Sequence, residues 1–256
     1  MNSTFSRILK AFCSLVAAVM LSACGGASST VDPFKPTRVI GLGDARNDMS
    51  ATQHTVRLTA GVSTVVGQVA ARFGVSTVLS SVTTGDATVA DLITQVNALG
   101  ALRSTDLIVI TSGAADFAAR AGAGGTDLAA RAYLNGLKTA LNTLKNKGAT
   151  HILLTQVVDT AINPDADVVS FNMIVSGGLV GYADVAKLAN INRPAAYFPN
   201  WASNTNTPYC GAGLVGCNLG VANPDLYFLA DTINPTPAGN RWIAEALFYV
   251  TSFGWR

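Results

Sequence analysis

Short apolar runs that alternate with helix-length amphipathic stretches constrain this chain more than any other feature. Residues 38–42 (Arg-Val-Ile-Gly-Leu) and 106–111 (Asp-Leu-Ile-Val-Ile-Thr) lack the polar alternation of a strand with one wet face. Both are therefore expected to be strands buried on two sides. Residues 75–79 carry enough β-branched side chains for a second strand, and residues 151–157 form a fourth. Between them, residues 55–73 place Val56, Leu58, Val62, Val65, Val66, Val69, Ala70 and Phe73 largely at helical spacing, with Gly74 as the C-terminal cap. Residues 87–99 repeat the pattern with Val89, Leu92, Ile93, Val96 and Leu99. The clearest helix starts at Thr126 or Asp127 as its cap. It sets Leu128, Leu134, Leu137, Leu141 and Leu144 on one stripe, places Lys145 and Lys147 in its last turn, and stops at Gly148. Residues 166–189 read as a further helical stretch interrupted by Gly177-Gly178, and residues 237–250 as a closing helix. Strands and helices in alternation imply a parallel sheet covered on both faces, with right-handed crossovers. The expected fold class is α/β, a three-layer, flavodoxin-like sandwich.

The chain has 256 residues, 49% of them hydrophobic, enough for one sizeable core. Only 12% are charged and the formal net charge is +2, with no basic stripe, so no nucleic-acid partner is expected. Arg7 and Lys10 precede an apolar segment at 11–21 that is too short to span a bilayer. The segment ends in Leu21-Ser22-Ala23-Cys24-Gly25, which looks like a bacterial lipobox. Residues 1–23 are accordingly expected to be a lipoprotein signal peptide. Residues 24–37 are expected to be a lipid anchor on Cys24 and a flexible tether rich in Gly, Ala, Ser and Pro, and residues 38–256 a single domain. Lipidated Cys24 would tie the chain to a membrane, and Gly25 behind it points to the outer membrane. Cys210 and Cys217 lie in a Gly-rich stretch of an exported chain and are read as a disulfide. Two thiolates with no histidine nearby do not complete a zinc shell.

In open α/β sheets, ligands sit at the carboxyl ends of the strands. The first strand ends there in Gly43-Asp44-Ala45-Arg46-Asn47-Asp48. This stretch resembles the opening block, G-D-S-L-S-D, of the GDSL, or SGNH, lipase/esterase family, and the resemblance continues in order along the chain. Gly85, in Thr84-Gly85-Asp86-Ala87, stands where that family has an oxyanion-binding glycine. Gly113-Ala114-Ala115-Asp116 stands where it reads G-x-N-D, and Asp231-Thr232-Ile233-Asn234-Pro235-Thr236 where it reads D-x-x-H-P-T. The resemblance implies an SGNH-hydrolase fold, with Ala45 in the nucleophile's place, Ala115 in the place of the oxyanion asparagine and Asn234 in the place of the base. Gly85 and Asp231 are retained, and Asp44 and Gly113 are expected at the binding rim.

Acyl transfer of that kind needs a nucleophile, a base and oxyanion donors. The Ala45 methyl cannot attack, and the Asn234 carboxamide does not exchange a proton near neutral pH. A missing oxyanion donor costs about 10²–10³ in rate, and a missing nucleophile or base on the order of 10⁶. The expectation is a catalytically inactive relative of ester hydrolases that binds an acyl, ester or glycan-like ligand or a protein partner. The alternative is an active serine esterase with a rearranged site, Ser50 or Ser112 paired with His54. His151, the other histidine, opens a strand and reads as structural. Asp44, Asp48, Asp86, Asp116 and Asp231 read as caps of helices and turns rather than as a metal site, and no cofactor is expected.

Overall fold

The computed structural model describes residues 34–44, 64–79, 87–158, 165–189, 191, 228 and 236–255. All of them fall in the compact unit Pro33–Arg256. Their elements run β1 (Arg38–Gly43), α1 (Val65–Phe73), β2 (Ser76–Leu79), α2 (Val89–Ala98), β3 (Asp106–Thr111), α3 (Ala114–Ala118), α4 (Thr126–Asn146), β4 (His151–Thr155), α5 (Ala166–Gly178), β5 (Ala186–Ala189) and α6 (Pro237–Gly254). Short 3₁₀ turns at Ala119–Ala121 and Val180–Tyr182 extend α3 and α5.

The strands form one sheet in the order β2-β1-β3-β4-β5, and every pair is parallel. That order is the flavodoxin-like one. The crossover from β1 to β2 carries α1 on one face of the sheet. The crossovers from β2 to β3, β3 to β4 and β4 to β5 run the other way and carry α2, α4 and α5 on the opposite face. Right-handed crossovers require this exchange of faces. Alternate residues of each strand serve the two layers. Ile40, Leu42, Ile108, Ile110, Ile152 and Leu154 pack under α2, α4 and α5, while Val39, Leu107, Val109 and Leu153 pack under α1 and α6. Burial on both faces explains why these strands read as unbroken apolar runs.

The elements form where local chemistry directs them. Thr64 caps α1 by accepting from the Gly67 N–H at 3.0 Å, and Gly74 closes that helix. Thr236 caps α6 by accepting from the Gly239 N–H at 3.0 Å, with Pro237 in the first turn. At the amino end of the sheet, Arg38 of β1 faces Asp106 of β3 in register. Its guanidinium donates to both Asp106 oxygens at 2.7 Å. Burial alone would raise the Asp106 carboxyl, but the Arg38 hydrogen bond and the Arg103 N–H outweigh it and hold the group below the usual carboxylate range.

Several expectations shift. The long helix α4 is capped by Gly125 rather than by Thr126 or Asp127, and Asp127 instead pairs with Arg131 one turn on. Leu128 stands 56% exposed, off the stripe that Tyr133, Leu134, Leu137, Leu141 and Leu144 bury. The fourth strand stops at Thr155. The stretch 166–189 is not one interrupted helix, because α5 ends at Gly178 and Ala186–Ala189 joins the sheet as its edge strand. Four residues with a lysine among them carry little β signal, and only pairing with β4 makes them a strand. Residues 34–37, assigned by composition to the tether, pack on the domain. The Thr37 N–H donates to the Thr105 carbonyl at 3.0 Å, and the Phe34 ring stacks on His151 with centroids 3.6 Å apart. Residues 55–63 of the expected first helix, the whole of 1–33, and the Cys210–Cys217 segment lie outside the described residues.

Candidate active site

The connections from β1 and β3 leave in opposite directions, and this switch point at their carboxyl ends is the usual place for a ligand in such a sheet. Its described walls are Gly43-Asp44 and Thr111-Ser112-Gly113, the latter leading into α3.

Gly43 has φ +103°, and a Cβ there would lie 1.8 Å from the Thr111 carbonyl oxygen. Only glycine lets β1 turn this close to β3. Among the described residues pairing between β1 and β2 reaches Gly41 and Leu79, and further along β1 a side chain meets Gly43. Gln95 of α2, buried, accepts from the Gly43 N–H at 2.6 Å and donates to the Gly43 carbonyl at 2.9 Å. Asp44 turns the other way, its N–H donating to the Thr111 carbonyl at 2.7 Å. The Thr111 hydroxyl donates to Asp44 Oδ1 at 2.9 Å. Asp44 is only 6% exposed, so its carboxylate locks the ends of β1 and β3 together rather than facing solvent.

On the other wall the Ser112 hydroxyl lies 2.8 Å from the Tyr133 hydroxyl of α4 and is 2% exposed. Gly113, with φ +98°, caps α3. A Cβ there would come within 3.1 Å of the Tyr133 ring. Ala115 is the second residue of α3 and is half-buried. Asp116, next to it, accepts from the Val89 N–H at the start of α2, with its two oxygens at 3.1 and 3.3 Å. Burial raises the Asp116 carboxyl above its ordinary value against the pull of that N–H, and the like charge of Asp91 adds to the rise. Phe117 meets Phe171 of α5 edge-on at 5.5 Å, and the Arg120 guanidinium lies 4.1 Å from the centre of the Phe117 ring.

The structure thus brings Asp44, Gly113 and Ala115 to the carboxyl end of the sheet. Ala45, Gly85, Asp231 and Asn234 fall outside the described residues, as do Asp48, Ser50, His54 and Asp86. His151 sits at the opposite, amino end. It stacks on Phe34, meets Trp255 edge-on at 5.1 Å, and has Nδ1 3.1 Å from the Ser104 carbonyl.

The motifs did not point to Gln95, Tyr133 or Asn172. Asn172 of α5, also buried, accepts from the Val157 N–H at 3.0 Å and donates to its carbonyl at 2.8 Å, repeating at the end of β4 what Gln95 does for β1. The available signal was an amide within a buried stripe. Gln95 lies between Leu92 and Val96, and Asn172 between Val168 and Val175.

No family model matches the sequence, and no curated protein matches it. In structure the chain is similar to a putative GDSL-like lipase from Parabacteroides merdae, at 16% identity over 86% of this chain and 98% of that one, with a TM-score of 0.53. It is also similar to an acetylxylan esterase from Geobacillus stearothermophilus, at 15% identity over 88% and 99% of the two chains, with a TM-score of 0.50. With the parallel sheet, its strand order and the helices on both faces, these likenesses show that the chain has the three-layer α/β fold of the SGNH/GDSL hydrolases.

Proposed function

We propose that this chain is a catalytically silent ligand-binding protein on an SGNH-hydrolase scaffold, held at the outer membrane through lipidated Cys24 after removal of residues 1–23. The observation that carries the reading is Ala115. The α3 turn, which the motif resemblance aligns with the oxyanion asparagine, is tied to α2 through Asp116 and carries alanine at position 115. The substitutions at Ala45 and Asn234 remove the attacking oxygen and the proton carrier from the same machine. The ligand class is an ester- or acyl-bearing molecule or a glycan. The acetylxylan esterase likeness supports that class, and a protein partner is the other occupant of such a crevice. The rearranged-esterase reading finds less support, since the Ser112 hydroxyl is buried against Tyr133. A disulfide between Cys210 and Cys217 belongs to the same proposal of an exported chain. No helix among the described residues is long and apolar enough to cross a membrane.

The test is hydrolysis of p-nitrophenyl acetate by purified residues 24–256. The expected result is turnover no faster than the blank and no fluorophosphonate adduct by intact mass. The combined variant Ala45→Ser, Ala115→Asn, Asn234→His is expected to gain esterase activity. Turnover by the unmodified chain that co-elutes with the protein on gel filtration would overturn the reading.

A further inference from the structure

We infer that Asp116 is a positioning residue, whose carboxylate fixes the α3 turn, and with it Ala115, against the entry of α2. α3 has five residues, far below the length at which a helix holds itself together in water. Its first internal bond, from the Phe117 N–H to the Gly113 carbonyl at 2.9 Å, starts at a glycine that brings no side-chain cap. The segment must therefore be held from outside, and its described anchors are few. Phe117 rests on Phe171, and Gly113 lies under the Tyr133 ring. Arg120, just beyond α3, links the Phe117 carbonyl to Asp167 of α5 by contacts at 3.3 Å. Within Ala114–Ala118, Asp116 makes the described side-chain bond to another element.

The partner of that bond is well chosen. The Val89 N–H is one of the donors that the first turn of a helix leaves unsatisfied, and a carboxylate there also meets the positive end of the α2 dipole. Asp91 already serves the neighbouring Thr88 N–H at 2.8 Å, so Asp116 completes the first turn of α2 rather than duplicating a cap. Val89 is held in place by the capping bond beside it and by packing of its side chain on the core, close against α4 where Gly136 has no Cβ. A fixed donor at one end of the bond and a short, dependent turn at the other make Asp116 the element that sets where residue 115 sits. The hydrogen bond itself is independent of the proposed function, whereas the catalytic arm of the test rests on it.

The experiment compares Asp116→Ala with Asp116→Asn by amide hydrogen exchange in the otherwise unmodified chain. Asparagine keeps an acceptor for the Val89 N–H and alanine does not. The expected result is faster exchange at both Val89 and Phe117 in Asp116→Ala, by about tenfold or more for loss of a charge-assisted bond, with protection retained in Asp116→Asn. Should Asp116→Ala fail to fold, Asp116→Glu replaces it, because an extra methylene displaces the acceptor without removing it. Unchanged exchange at Val89 overturns the inference, and so does a loss confined to Val89 that leaves Phe117 protected. In the combined Ala45→Ser, Ala115→Asn, Asn234→His background, Asp116→Ala is expected to lower kcat about 10–100-fold, the cost of small misplacement, with KM little changed. Restoration by Asp116→Asn then separates positioning from general destabilisation. An inactive combined variant would count against the proposed function alone, since the exchange data decide the role of Asp116 without it.

Discussion

Replacing Gln95 by leucine tests whether a side chain truly finishes the sheet where β2 leaves off. The amide makes two hydrogen bonds to one residue, Gly43, at 2.6 and 2.9 Å in a buried setting. Leucine is of similar size, so little cavity forms, but it strands a buried N–H and a buried carbonyl. Each unsatisfied group costs about 1–3 kcal/mol, and the added apolar burial returns about 1 kcal/mol. The net loss expected for Gln95→Leu is therefore about 1–5 kcal/mol. Urea unfolding followed by circular dichroism measures it as a lower midpoint at unchanged slope. Gln95→Glu keeps the acceptor for the Gly43 N–H yet sets a carboxylate against the Gly43 carbonyl, so it should fall between wild type and Gln95→Leu or below both. A loss for Gln95→Leu under about 0.5 kcal/mol, the range of an ordinary surface change, would refute the clamp as a source of stability.

Gly43→Ala should cost more than about 4 kcal/mol or prevent folding, because its Cβ would meet the Thr111 carbonyl at 1.8 Å; soluble yield and thermal melting read this out. Arg38→Ala leaves the fully buried Asp106 carboxylate without its guanidinium and should cost about 3 kcal/mol at neutral pH. Since the folded-state value of Asp106 is depressed, its contribution is full above the ordinary carboxylate value of about 4 and is lost as pH falls through the folded value. The gap between wild type and Arg38→Ala should therefore narrow in urea titrations at acid pH. Burial lowers the His151 imidazole against the pull of the Ser104 carbonyl, so the neutral ring is the one that stabilises the fold. That contribution is present above about pH 6.5 and disappears as pH falls through the lower folded value, and His151→Phe should flatten the acid limb of a melting-temperature profile. Leu137→Ala should cost about 2–5 kcal/mol by denaturant unfolding. Leu128→Ala, at a position 56% exposed, should cost less than about 0.5 kcal/mol.

Order and type of most elements were legible in the residues because burial on two faces leaves a plain trace. Residues 106–111 became β3 without a change of boundary, and the Leu134, Leu137, Leu141 and Leu144 stripe lies in the core. Leu128 misled because it was grouped with the stripe although it stands six residues before Leu134, about 240° around the helix at 3.6 residues per turn, and so faces away from the core. The edge strand Ala186–Ala189 was invisible for the opposite reason. Its pairing with β4 supplies order that its side chains do not encode.

For the proposed site, the motif positions alone determined which chemical groups stand at 115 and 234, since a methyl or a carboxamide there is a fact of composition that no packing can reverse. What tertiary structure decided is how the crevice walls are held. The Gln95 amide reaches Gly43 across 52 residues, the Thr111 hydroxyl reaches Asp44 across 67, and Asp116 reaches Val89 across 27. Hydrogen-bond partners so distant in the chain meet only after the helices have packed, because a buried polar group takes whichever complementary group the fold brings within reach.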